Sequence, residues 1–166
     1  MKLARAVFLD RDGTLVRTFP EGPTTRGPRT LAEVGILPGV EEACRLLRAA
    51  GWLLVCVSNQ PDIARGLTSH DEQLAIDLRL IGDLGLTACY VCDHDAGDNC
   101  GCRKPRPGLI HIAAYEHAIC LADSIMIGDR ESDRLAGIRA GCKHQILVTL
   151  DHPLLEHAEW IVQHLC

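Results

Sequence analysis

Apolar residues along this chain come in two rhythms. The first is a set of short, largely apolar runs: Ala6-Val7-Phe8-Leu9, Trp52-Leu53-Leu54-Val55-Cys56-Val57, Ala88-Cys89-Tyr90-Val91, Ser124-Ile125-Met126-Ile127 and Gln145 to Leu150. They are too short for helices and predict strands, with Ala6 to Leu9 read as buried and Trp52 to Val57 as a fully buried strand of a parallel sheet. The second rhythm lies between them. Pro38-Gly39 opens a stretch with Val40, Ala43, Leu46 and Leu47 on one helical face, ended by Gly51. Ser69 and Glu72 form a capping box for a helix to about Gly82, with Leu74, Leu78 and Ile81 predicted to face inward. Pro107-Gly108 starts a helix to about Cys120, Ser132 to Ala140 is a helix stopped by Gly141, and a short helix with an edge strand at Trp160 to Val162 is expected to finish the chain. Val16 to Leu37 has neither rhythm and is rich in proline and glycine, which predicts a long functional loop; Arg17, Arg26 and Arg29 in it are candidates to reach a substrate. Strands alternating with helices imply an α/β fold whose ligands bind beyond the carboxyl ends of the strands.

Composition narrows the class. The 166 residues, with 47% hydrophobic and 23% charged, suit one globular domain spanning 1–166. No apolar stretch approaches the roughly 20 residues of a membrane span, and Met1 to Ala6 runs into strand-like sequence without a signal pattern, so a cytoplasmic protein without membrane attachment is expected. A net charge of -5 argues against broad nucleic-acid binding and leaves room for a local basic site. Nine cysteines without a secretory pattern raise the question of which are ligands. Cys44, Cys56, Cys89, Cys120 and Cys142 sit among apolar residues and read as packing, and Cys166 is terminal.

The candidate chemistry falls at strand ends. The first strand runs into Asp10-Arg11-Asp12-Gly13-Thr14, where residues i and i+2 point the same way and two carboxylates converge. Such a pair needs a cation or a shared proton; taken alone, the stretch also reads as a solvated turn. Ser58 and Asp129 each follow a strand, which brings distant side chains to one edge. Cys92-x-His94, then Cys100-x-Cys102, supplies three thiolates and one imidazole, a closed structural Zn²⁺ set. Its loop is otherwise Asp, Gly and Asn, with little to fix it by packing, so the metal would supply the order and hold the nearby Arg103 and Lys104.

Four stretches, Asp10-Arg11-Asp12-Gly13-Thr14, Ser58-Asn59-Gln60, Cys102-Arg103-Lys104-Pro105 and Gly128-Asp129 with Asp133, resemble in order and spacing the motifs of the haloacid dehalogenase superfamily of phosphatases. The resemblance implies a Rossmann-like three-layer sandwich, a central parallel sheet of five or more strands in the order 3-2-1-4-5, and no large cap domain. It implies Asp10 as nucleophile, Asp12 as general acid and base, and Mg²⁺ on Asp10, Asp12 and Asp129. Ser58 and Lys104 would stabilise the transferring phosphoryl group, Asn59, Gln60 and Arg103 would bind substrate, Asp133 would hold Lys104 or a metal-bound water, and Arg130 would lie near the metal. The cysteine loop resembles the zinc-containing branch of heptose bisphosphate and histidinol-phosphate phosphatases. The Gln60 to Gly66 and Arg103 to Gly108 runs resemble the heptose enzymes, a resemblance that implies a heptose bisphosphate attacked at its 7-position, and the short span from His94 to Cys100 is more similar to the histidinol phosphatases. A non-catalytic binding module would be expected to lose Asp10 or Asp12, and both are present. The partner expected is a small phosphorylated substrate, a sugar bisphosphate, acted on by a monomer.

Overall fold

The structure, a computed structural model, describes residues 3–165. Its centre is a five-stranded parallel sheet built from β1 (Ala6–Leu9), β4 (Leu53–Asn59), β5 (Ala88–Cys92), β6 (Ile125–Gly128) and β7 (His144–Leu147), in the order β5-β4-β1-β6-β7. Counting these five alone, that is the expected 3-2-1-4-5. The strand alternation sends Val7 and Leu9 to one face and Ala6 and Phe8 to the other, and each face has its own core. Helices α1 (Val40–Ala49), α3 (His70–Leu84) and α6 (Leu154–His164) cover the first face, α4 (Gly108–Glu116) and α5 (Glu131–Ala140) the second, and the one-turn α2 (Pro61–Ala64) follows β4. All four residues of β1 are fully buried, as its central position requires. Among the described residues no helix is long and apolar enough to cross a membrane.

Four expectations are corrected. The 16–37 segment is not a plain loop: it carries an antiparallel hairpin of β2 (Phe19–Glu21) and β3 (Thr24–Arg26), turned at Gly22 with φ +58, and a 3-10 turn at Leu31–Glu33. Three-residue strands containing Pro20 leave no periodic signal. Trp160 to Val162 lies inside α6 and is no edge strand; α6 packs Leu154, Ala158 and Ile161 inward at helical spacing. The fourth helix ends at Glu116, short of Cys120, because Ala118 takes a left-handed φ of 50. In α3 the buried stripe is Gln73, Ile76, Asp77, Leu80 and Leu84, while Leu74 and Leu78 are more than half exposed. The helix is turned one position from the apolar pattern because Gln73 and Asp77 are required inside as partners of the buried Arg11. Its start is as expected, with Ser69 Oγ accepting from the Glu72 N–H at 3.1 Å.

Candidate active site

The turn after β1 is closed by the Arg11 carbonyl, which accepts from the N–H groups of Leu15 and Val16 at 2.9 and 3.0 Å. Gly13 sits in it at φ +89, and a Cβ there would lie 2.3 Å from Asp129 Oδ2. Only glycine lets this turn approach the carboxylate at the end of β6. Asp10, Asp129 and Asp133 thereby bring carboxylate oxygens within 4.8 Å of one another. Asp129 Oδ1 is buried without a hydrogen-bond partner, a costly state for an anionic oxygen unless a cation meets it. The donor set is hard oxygen throughout, which fits Mg²⁺.

Lys104 reaches this cluster from the far side. Its Nζ lies 2.5 Å from Asp10 Oδ1 and 2.7 Å from Asp133 Oδ1, and donates to the Val57 carbonyl at 2.7 Å. Its backbone is clasped by the Asn59 amide, which donates to the Lys104 carbonyl and accepts from the Lys104 N–H, both at 3.0 Å. Burial pushes the Asp10 carboxyl up to about 7, with Lys104 opposing the shift and Asp133 and Asp12 adding to it. The Lys104 ammonium, which burial alone would disfavour, is held charged by Asp10 and Asp133. Asp133 is itself buried and caps α5 by accepting from the Arg130 N–H at 3.0 Å, so it is a structural anchor for Lys104 and no surface acid.

The Asp12 carboxylate is gripped on both oxygens: Arg11 Nε donates to Oδ1 at 2.9 Å and Gln60 Nε2 to Oδ2 at 2.6 Å. The same Gln60 nitrogen reaches Ser58 Oγ at 2.8 Å. Gly27, just past β3, lies over this carboxylate; a Cβ there would stand 2.1 Å from Oδ2. Asp10 and Asp12 form the acidic floor of a cavity of about 350 Å³ whose wall includes Arg26, Arg65, Arg103 and Arg130. Arg26 pairs with both oxygens of Glu33, holding that carboxyl down near 2, and Arg130 reaches Thr25 of the hairpin at 3.2 Å. Of the three loop arginines, Arg29 is engaged by Glu21 and Asp62, Arg17 stacks over Phe19, and Arg26 alone reaches the wall. Arg11, Gly27 and the side-chain roles of Asn59 and Gln60 had no local signal in the sequence, because their partners are remote in it.

Next to this site, at the end of β5, Cys92, His94, Cys100 and Cys102 gather their ligand atoms within 4.8 Å. Cys92 Sγ stands 3.4 Å from Cys102 Sγ and 3.6 Å from both Cys100 Sγ and His94 Nδ1, and Cys102 Sγ lies 3.5 Å from that nitrogen. A tetrahedron with Zn–S bonds of about 2.3 Å has edges of about 3.8 Å, so the four fit one zinc ion. Arg103 donates to the His94 carbonyl at 3.2 Å and Arg65 pairs with Asp95 at 2.7 Å, tying this loop to the cavity wall.

A HAD-hydrolase-like family model matches residues 101–153. A D-glycero-β-D-manno-heptose-1,7-bisphosphate 7-phosphatase of Helicobacter pylori is 39% identical over 167 residues, covering 97% of this chain and 92% of that protein. The Pasteurella multocida enzyme of the same name is 36% identical over 165 residues, covering 93% and 86%. The crystal structure of D,D-heptose 1,7-bisphosphate phosphatase from B. bronchiseptica, complexed with magnesium and phosphate, superposes with a TM-score of 0.82 at 26% identity, covering 96% of this chain and 98% of that one. Motif order, sheet topology and near full-length similarity agree, and the chain belongs to the D-glycero-β-D-manno-heptose-1,7-bisphosphate 7-phosphatase family of HAD-like phosphatases.

Proposed function

We propose that this chain is a Mg²⁺-dependent phosphomonoesterase that removes the 7-phosphate of a D-glycero-D-manno-heptose 1,7-bisphosphate through an aspartyl-phosphate on Asp10. The observation that carries the reading is the buried arrangement of Asp10 between Lys104 and Asp129, with Asp12 gripped beside it at the floor of an arginine-walled cavity. The relatives' names supply the substrate class, and the arginine wall supports a substrate with a second phosphate.

Mg²⁺ on Asp10, Asp129 and the Asp12 backbone carbonyl would neutralise phosphoryl oxygens so that an anionic nucleophile can approach. An Asp10 carboxylate oxygen attacks phosphorus, forming the P–O bond to the enzyme as the bond to the sugar oxygen breaks. Asp12 gives its proton to that leaving oxygen, then takes one from the water that cleaves the acyl phosphate and restores Asp10. Lys104 meets the negative charge on the transferring group, aided by Ser58 and the Asn59 N–H. The Asn59 amide acts on Lys104, fixing its backbone; the Gln60 amide acts on Asp12 and Ser58. Arg103 would bind the substrate's outer oxygens.

Cys92, His94, Cys100 and Cys102 would hold Zn²⁺ as a structural ion, two residues from Lys104. Its three cysteines must stay reduced to bind metal, which suits the cytoplasm. The side chains of the site gather at one sheet edge, which supports a single domain, and it is proposed to act as a monomer. Asp10→Asn tests the reading: turnover of the bisphosphate should vanish while circular dichroism stays native, and a variant that keeps its activity would remove the mechanism.

A further inference from the structure

Arg11 is the largest fully buried side chain among the described residues, and the phosphoryl-transfer scheme does not use it. A buried guanidinium persists only when its donors are matched, and each nitrogen of this one has a partner. Nε donates to Asp12 Oδ1 at 2.9 Å, Nη1 to Asp77 Oδ1 at 3.0 Å and Nη2 to Gln73 Oε1 at 2.8 Å. Asp77 and Gln73 are one turn apart on α3 and both are buried. Gln73 is fixed in turn, its Nε2 donating to the Pro28 carbonyl at 3.1 Å and to Thr68 Oγ1 at 3.2 Å. The planar fork of arginine can span two anchors and a target in one rigid unit, which an ammonium on a flexible stem cannot.

From this geometry we infer that Arg11 is the positioning residue for Asp12: anchored on Asp77 and Gln73 of α3, it sets the rotamer from which Asp12 passes its proton to the leaving oxygen. The inference rests on the assignment of Asp12 as general acid. It also explains why α3 turns Gln73 and Asp77 inward and leaves Leu74 and Leu78 outside. The step is a proton transfer only: the Asp12 carboxyl loses H⁺ to the sugar oxygen as its bond to phosphorus breaks, and nothing is oxidised or reduced.

The test compares two phosphomonoesters on the full chain with Mg²⁺. The heptose bisphosphate leaves as an alkoxide that needs a proton, whereas p-nitrophenyl phosphate leaves as a stable anion that does not. Arg11→Lys keeps the charge and loses the fork. The double variant Arg11→Met/Asp77→Leu removes both members of the buried pair, so no orphaned charge unfolds the protein. In both variants kcat/KM should fall about 10²-fold for the alkyl ester and less than about 3-fold for the aryl ester, the selective loss expected when general-acid transfer is misaligned. Asp12→Asn should show the same selectivity, more strongly. Equal losses for both esters, or none, in the Arg11 variants while Asp12→Asn remains selective would overturn the inference alone. An unselective Asp12→Asn would overturn the acid assignment and this inference with it.

Discussion

Asp12 shows how little of a side chain's working position lies in its own motif. Its oxygens are gripped by Arg11 and Gln60, and Gly27 lies close over it. Gly27→Ala would place a methyl carbon 2.1 Å from Asp12 Oδ2, so the carboxylate or the hairpin must move. A displacement of that order at a reacting group costs about 10²-fold; kcat/KM should fall accordingly with the melting temperature nearly unchanged, and full activity would contradict the close approach. Asp10 stores instability of another kind. Burial lifts its carboxyl from 3.8 to about 7. A carboxyl whose pKa rises on folding binds its proton more tightly in the folded chain, so the stabilisation is fully present below 3.8 and is lost as pH rises through about 7. Without added Mg²⁺, Asp10→Asn should therefore melt higher than the wild type at pH 8, with the gap closing towards pH 5. A gap independent of pH would contradict the buried environment. The motif made Asp10, Asp12, Lys104 and Asp129 legible in the sequence. Arg11, Gly27 and the side-chain tasks of Asn59 and Gln60 were not, because each also depends on a partner 15 to 66 residues away.

At the scale of elements, the cysteine loop and α3 teach opposite lessons. The loop's ligand spacing was readable because ligation imposes short fixed separations, and the structure gathers the four atoms as that spacing requires. A zinc ion held there would have a mechanical consequence, since Cys102 stands two residues before Lys104. Cys100→Ser should abolish stoichiometric zinc in elemental analysis and lower kcat about 10–100-fold as the lysine loses its support; undiminished zinc would exclude the tetrahedral site. In α3 the apolar pattern pointed the wrong way. Leu74 and Leu78 mark a stripe that the fold leaves in solvent, and the buried stripe includes Gln73 and Asp77. Apolar periodicity reports burial only when polar residues have no buried partner, and here Arg11 supplies one.

Across the whole molecule, the parallel sheet does what the alternation of strands and helices implied. It delivers Asp10 from just past β1, Ser58 and Asn59 from β4, Cys92 from β5 and Asp129 from just past β6 to one edge. The hairpin of β2 and β3 escaped the sequence pattern because two three-residue strands have no room for a period, yet it brings Arg26 and Gly27 over the site. Among the described residues there is no separate cap domain, and that hairpin and the arginines of the cavity wall line the approach to the site, where we propose that they select among small phosphate esters. The most direct test is kcat/KM with Mg²⁺ for both anomers of the heptose 1,7-bisphosphate, histidinol phosphate and several sugar monophosphates, with the released phosphate assigned to its carbon. A clear preference for a heptose bisphosphate with loss of the 7-phosphate is expected; a preference for histidinol phosphate, or release from the 1-position, would contradict the assignment.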